Sequence, residues 1–218
     1  MVNDRRSYDE PVVYDGAYAP SSKEDFFEWS RRFWNPHKTD FWLSHGIDLV
    51  IGRRNDYFLY DVSGRRLIDL HLNGGTYNLG HRPEELVTAL RQALEIFDLG
   101  NHHFPALART ALAEALVACC PSNMRYTVFA TGGGEAIDIA IKTARNLKRR
   151  RTIVCIHNAY HGHTGLAVAA GSDRYSTPFL ADRPSEFRRV AFNDLDGMRA
   201  APEPGDVAAV LLETVRVP

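Results

Sequence analysis

The sequence predicts an α/β chain built on a largely parallel sheet, and three observations carry that expectation. From Arg125 onward, strand-type and helix-type stretches alternate, the pattern that βα units impose. Residues 152–156 (Thr-Ile-Val-Cys-Ile) form a continuous apolar run of strand type, as in strands buried on both faces. Between residues 129 and 136, a strand-type ending, three glycines and a helical pattern follow one another directly.

The elements are expected in the following order. Residues 1–20 are polar and lack periodicity, and read as an arm. Ser22 precedes Glu24, Asp25, Phe26, Phe27, Glu28 and Trp29 and is placed to cap a short helix. Residues 57–70 read as two strands around a Ser63-Gly64 turn. A helix opened by Pro83 runs to about Phe97, with Leu86, Leu90 and Leu94 at four-residue steps. A second helix covers residues 106–119, with Leu107, Leu112, Ala115 and Leu116 facing inward. Residues 125–129 read as a strand, because Tyr126, Val128 and Phe129 favour extended backbone. The helix after the glycines carries Ile137, Ala140, Ile141 and Ala144 on one face. We therefore expect an N-terminal arm, helix and hairpin lobe over residues 1–70 and a larger domain from 71 to 218.

Composition excludes more than it assigns. A formal net charge of −1 over 218 residues argues against nucleic-acid or membrane attraction. Arg145, Lys148 and residues 149–151 read as the solvated last turn of a helix, where cations suit the dipole. The three cysteines, two of them adjacent (Cys119 and Cys120), make no disulfide framework. With no leader and no membrane-length apolar run, the expected compartment is the cytoplasm.

The glycine turn carries the chemistry. Glycines at a strand end leave backbone N–H groups unobstructed, and a helix start adds unpaired donors and a positive dipole end. Residues 132–134 are therefore either a phosphate seat or a plain tight turn. A dinucleotide fingerprint is excluded, because Ile137 stands where its third glycine belongs. A P-loop is excluded too, because Glu135 and Ala136 replace its Lys-Ser/Thr. The loop after the next strand holds Tyr160, His161, Gly162 and His163, and ligand sites gather at the carboxyl ends of parallel strands. Both loops are expected to edge one crevice. His157, His161 and His163 lack an evident fourth ligand, so no metal site is expected.

With these motifs in place, the chain resembles the class III, fold type I aminotransferases that use pyridoxal 5′-phosphate (PLP). The family's phosphate turn is similar to residues 132–136 and its aromatic-His-Gly loop to residues 160–162. Its N-terminal hairpin resembles residues 57–70, and its Gly-His-x-x-Pro segment resembles residues 78–83. The strand that ends in a glutamate near the cofactor resembles residues 208–213. The resemblance implies the PLP-dependent transferase fold, a mostly parallel sheet with helices on both faces plus a small N-terminal lobe, here incomplete. It implies that Gly132, Gly133 and Gly134 bind the phosphate, that Tyr160 lies against the pyridine ring, and that His161 and Glu213 adjoin the cofactor. His163 stands where many relatives place an arginine for the substrate carboxylate, and Gly74 would line the substrate mouth. Asn101 to Phe104 resembles a loop at the edge of the active site.

The implied activity is amino-group transfer from a small-molecule amino donor to a carbonyl acceptor, in a homodimer or beside a complementary C-terminal half. A decarboxylase or an aminomutase on the same scaffold and a non-catalytic fragment are the alternatives. In the family, the lysine that binds the cofactor covalently and the Asp that pairs with its ring nitrogen both follow the strand ending at Glu213. None of Lys23, Lys38, Lys142 and Lys148 resembles that lysine, so the chain reads as an N-terminal half, inactive alone.

Overall fold

The computed structural model describes residues 22–98, 103–181, 183–201 and 205–215. The expected arm, together with Asn101 and His102, lies outside the described residues. The chain divides into two compact units, Met1–Asn101 and His102–Pro218.

In the first unit, α1 (Lys23–Phe33) begins as expected, with the Ser22 hydroxyl accepting from the Asp25 N–H at 3.0 Å. Asn35 caps α2 (Pro36–Ser44) in the same way, and Pro36 opens it. The buried Thr39 hydroxyl lies 2.9 Å from that of Ser30, joining the two helices. A three-stranded antiparallel sheet follows: β1 (Ile51–Asn55), β2 (Phe58–Asp61) and β3 (Arg66–Ile68). The expected hairpin is β2 and β3, with Gly64 in the left-handed region at φ 88°.

Asp61 ends β2 and organises the turn. Its buried carboxylate accepts from Val50 N at 3.0 Å and from Ser63 N and Oγ at 2.8 and 2.6 Å, and pairs with Lys23 Nζ at 3.1 Å. Burial opposes its ionisation, but the Ser63 and Val50 bonds and Lys23 outweigh that and hold its pKa at about 2.

The segment α3 (Leu72–Gly75) is a single turn in which Leu72, Asn73, Gly74 and Gly75 all have positive φ. Asp69 Oδ1 accepts from His71 N and Leu72 N, and His71 Nδ1 accepts from Gly74 N at 3.1 Å, which together hold the turn. The buried His81 Nε2 lies 2.8 Å from the other Asp69 oxygen. Helix α4 (Glu84–Leu94) starts one residue later than expected, because Pro83 occupies the cap at ψ 130°. Leu86, Leu90 and Leu94 are exposed along it.

The second unit holds α5 (Leu107–Ala118), α6 (Gly133–Lys148), β4 (Thr152–Ile156), α7 (Gly165–Ala170), α8 (Asp173–Ser176), β5 (Phe187–Val190), α9 (Leu195–Ala200) and β6 (Val207–Leu211). Its sheet has the order β5-β4-β6, all parallel. Ile153 and Cys155 of β4 share a core cluster with Ile141 of α6, Ala169 and Ala170 of α7, Phe187 and Ala208. Ile137 and Ala144 pack against it, whereas Ala140 stays exposed.

Two expectations fail here. Residues 125–129 form no strand: they pair with nothing in the sheet, and Tyr126 and Val128 are 89 % and 68 % exposed. Strand propensity becomes a strand only when a neighbour supplies the ladder. The helix α5 does form, but Leu107, Leu112 and Leu116 are exposed rather than inward. No helix among the described residues is long and apolar enough to cross a membrane.

Candidate functional site

The site lies in the second unit, where two turns are pressed together by their glycines. Helix α6 starts at Gly133, capped by Gly132 with extended backbone. The loop 157–164 leaves β4 and leads into α7. A Cβ on Gly134 would lie 2.9 Å from Thr164 Oγ1, and one on Gly162 would lie 2.7 Å from the Gly134 Cα. Gly162 is also at φ +128°, a region that L side chains rarely adopt. The two loops expected to edge one crevice are thus in backbone contact.

The other two glycines are under no such constraint. A Cβ on Gly132 or Gly133 would meet nothing within 4 Å, so protein packing does not require glycine there. The first bond of the α6 ladder is Ala136 N to Gly132 O at 3.0 Å. The N–H groups of Gly133, Gly134 and Glu135 therefore precede the ladder and lack helical acceptors. Glu135 does not block them. Its Oε2 turns back to accept from Thr131 N and Oγ1, both at 2.6 Å, and these bonds hold its pKa below the usual carboxylate value.

A second tie secures the loop. Glu213, two residues past β6, is half-buried, and its Oε2 accepts from Tyr160 N at 3.2 Å. His161 beside it is buried at 7 % exposure, and its Nε2 has no hydrogen-bond partner. Burial pushes the His161 pKa down, against the opposing pull of the Glu213 charge, so the neutral ring is favoured. An unsatisfied buried nitrogen is uncommon in folded proteins and marks a site where a partner belongs.

The Tyr160 ring is 48 % exposed and packs edge-to-face with His163 at 5.3 Å between centroids. Both rings also meet Tyr175 of α8, which the sequence reasoning did not single out. A lone aromatic in a polar stretch carries no periodic signal. Behind the loop, Asp138 of α6 accepts from Ala167 N at 2.7 Å and caps α7 from outside. The structure thus brings Gly132, Gly133, Gly134, Tyr160, His161, His163 and Glu213 into one unit. Gly74 lies in the other, within the left-handed turn. Among the described residues no three His, Cys, Asp or Glu side chains form a group able to hold a metal ion.

The family described as aminotransferase class-III matches residues 43–217. The chain belongs to the class III aminotransferases. A curated relative, an uncharacterized aminotransferase of Archaeoglobus fulgidus, is 44 % identical over 193 residues, covering 88 % of this chain and 45 % of its own. The taurine:2-oxoglutarate aminotransferase of Bifidobacterium kashiwanohense, solved in complex with PLP and glutamate, superposes with a TM-score of 0.70 at 23 % identity. That match covers 76 % of this chain and 43 % of the other. The ornithine aminotransferase of Toxoplasma gondii superposes with a TM-score of 0.76 at 18 % identity, over 89 % of this chain and 46 % of its own. This class III aminotransferase chain therefore has the type I fold, and it spans about half the length or less of the curated relatives it matches.

Proposed function

We propose that this chain forms the cofactor-seating part of a PLP-dependent aminotransferase, which moves an amino group between a small-molecule amine or amino acid and a carbonyl acceptor. The observation that carries the reading is the Gly134–Gly162 contact, which sets the α6 N-terminus beside the Tyr160–His161 loop. The residues present fit the cofactor. Gly132 and Gly133 leave open space at unpaired helix-start donors, and His161 offers a buried nitrogen in want of a partner.

In this reading Gly133 and Gly134 donate their N–H groups to the phosphate, and Gly132 leaves room for it. Tyr160 covers the pyridine face, and Glu213 fixes the Tyr160 backbone through its 3.2 Å bond. His161, held neutral by burial, neither adds charge beside the ring nor competes for the phosphate. The cofactor supplies the electron sink that amino transfer needs. His163 is the substrate-side residue of this unit, and a histidine reaches less far than the arginine many relatives carry. The working protein is a cytoplasmic homodimer of the complete enzyme, or this chain beside a complementary C-terminal half, and in either case the lysine comes from the C-terminal half.

Titration of the purified chain with PLP, pyridoxal, inorganic phosphate and a nucleoside triphosphate, followed by intrinsic fluorescence quenching, tests this. PLP is expected to bind, with pyridoxal at least about tenfold weaker because it lacks the charge-assisted phosphate bonds. Equal affinity for pyridoxal, or saturable binding of a nucleotide in place of PLP, overturns the reading.

A further inference from the structure

The ring expected to cover the cofactor is held from behind. Tyr175 meets Tyr160 with ring centroids 5.2 Å apart at 67°, and meets His163 at 5.0 Å and 89°. With the Tyr160–His163 contact at 64°, the three rings close a triangle of edge-to-face pairs. That geometry matches each ring's positive edge to a neighbour's negative face. A tyrosine 48 % exposed would otherwise sample several rotamers.

Tyr175 is itself anchored to the sheet. It sits on α8, where Asp173 accepts from Arg183 on one oxygen and from Arg189 at 3.1 Å on the other. Arg183 also donates to Ser176 Oγ at 2.9 Å, one residue past Tyr175. The Arg189 side chain is 8 % exposed and stems from β5. A continuous set of contacts thus runs from β5 through the arginines and α8 to Tyr175 and on to Tyr160.

We propose that Tyr175 is a positioning residue that sets the tilt of the Tyr160 ring and the His163 imidazole before the cofactor arrives. The inference rests on the proposed function, and deepens it by naming what preorganises the aromatic cover. Lowering the ordering cost of a contact group strengthens binding without adding a contact. The requirement is an aromatic edge at position 175, not a hydroxyl and not volume alone.

The test titrates PLP into the chain and its variants, and reads apparent affinity together with the visible circular dichroism of the bound cofactor. Tyr175→Phe is expected to match the unsubstituted chain within about twofold, with the same dichroism. Tyr175→Leu fills similar space without an aromatic edge. It is expected to bind about tenfold more weakly and to lose most of the dichroism, with an unchanged urea midpoint. Asp173→Asn keeps all three rings but loosens α8, and is expected to weaken binding about threefold with reduced dichroism. This variant decides the matter if Tyr175→Leu does not fold. Unaltered affinity and dichroism in the folded variants overturn the inference while leaving the proposed function standing. Failure of the unsubstituted chain to take up PLP overturns both.

Discussion

Gly134 and Gly162 approach so closely that a Cβ on the second would stand 2.7 Å from the Cα of the first. The atom in the way is backbone, which cannot swing aside, and Gly162 also sits at φ +128°. Gly162→Ala is therefore expected to destabilise the chain by about 2–4 kcal/mol, from overpacking and a strained dihedral together. Urea unfolding measures it, and a loss under about 0.5 kcal/mol would show that the loops tolerate separation.

Gly133 behaves in the opposite way. A Cβ there meets open space, and the residue opens a sixteen-residue helix. Gly133→Ala is expected to raise unfolding free energy by about 0.5 kcal/mol, because alanine loses less entropy in a helix. The same methyl crowds the proposed phosphate seat, so PLP affinity falls as stability rises. Urea unfolding and cofactor titration on one preparation separate the two effects, and affinity unchanged by the methyl contradicts the assignment.

Glu213 influences His161 through charge and Tyr160 through a hydrogen bond. In Glu213→Gln the amide oxygen still accepts from Tyr160 N, while the charge that raises the His161 pKa is gone. The His161 pKa is then expected to fall further below its ordinary value of 6.5. NMR titration of the ring protons measures this, and an upward shift would mean that Glu213 does not face His161.

Asp61 makes acid stability predictable. Its carboxyl titrates at about 2 in the folded chain, against an ordinary 3.8. Its stabilisation, roughly 2 kcal/mol, is complete above pH 3.8 and is lost as the pH falls through 2. For Lys23, burial lowers the pKa but the bonds to Asp61 and Asp48 outweigh it, so the net shift is upward. Its share is complete below pH 10.5 and is lost as the pH rises through the elevated folded value. Asp61→Asn is expected to flatten the acid limb of stability against pH, as measured by urea midpoints.

The exposed side chains of Tyr126, Val128 and Phe129 are expected to make the chain adhesive. Tyr126, Val128 and Phe129 stand free of any ladder, and Leu112 and Leu116 of α5 are exposed as well. Unpaired extended backbone with apolar side chains is a template for association. The purified chain is expected to sediment as oligomers at micromolar concentration, and Val128→Lys to shift it toward monomer. A monodisperse monomer in the unsubstituted protein refutes this.

The sequence was most readable where one short stretch contains the whole cause. Thr152 to Ile156 became a strand at its expected limits because four buried residues in a row, ending at the half-buried Ile156, leave no other packing. Ser22 capped α1 because the cap needs only a neighbour three residues away. Strand β1 was hidden by Gly52, Arg53, Arg54 and Asn55, whose polarity masks an extended segment that pairs with β2. The Tyr160–Glu213 bond joins residues 53 apart, and no local pattern announces it. Residues 125–129 had the propensity but not the partner, and propensity alone does not hold a strand.

The Asp138–Ala167 bond has a mechanical consequence. One helix stops the mouth of the next with its own carboxylate, so the turn that carries Tyr160 is tethered at its far end to the helix that begins at Gly133. The two loops that meet at Gly134 and Gly162 are thereby joined by a side-chain bond as well as by their touching backbones.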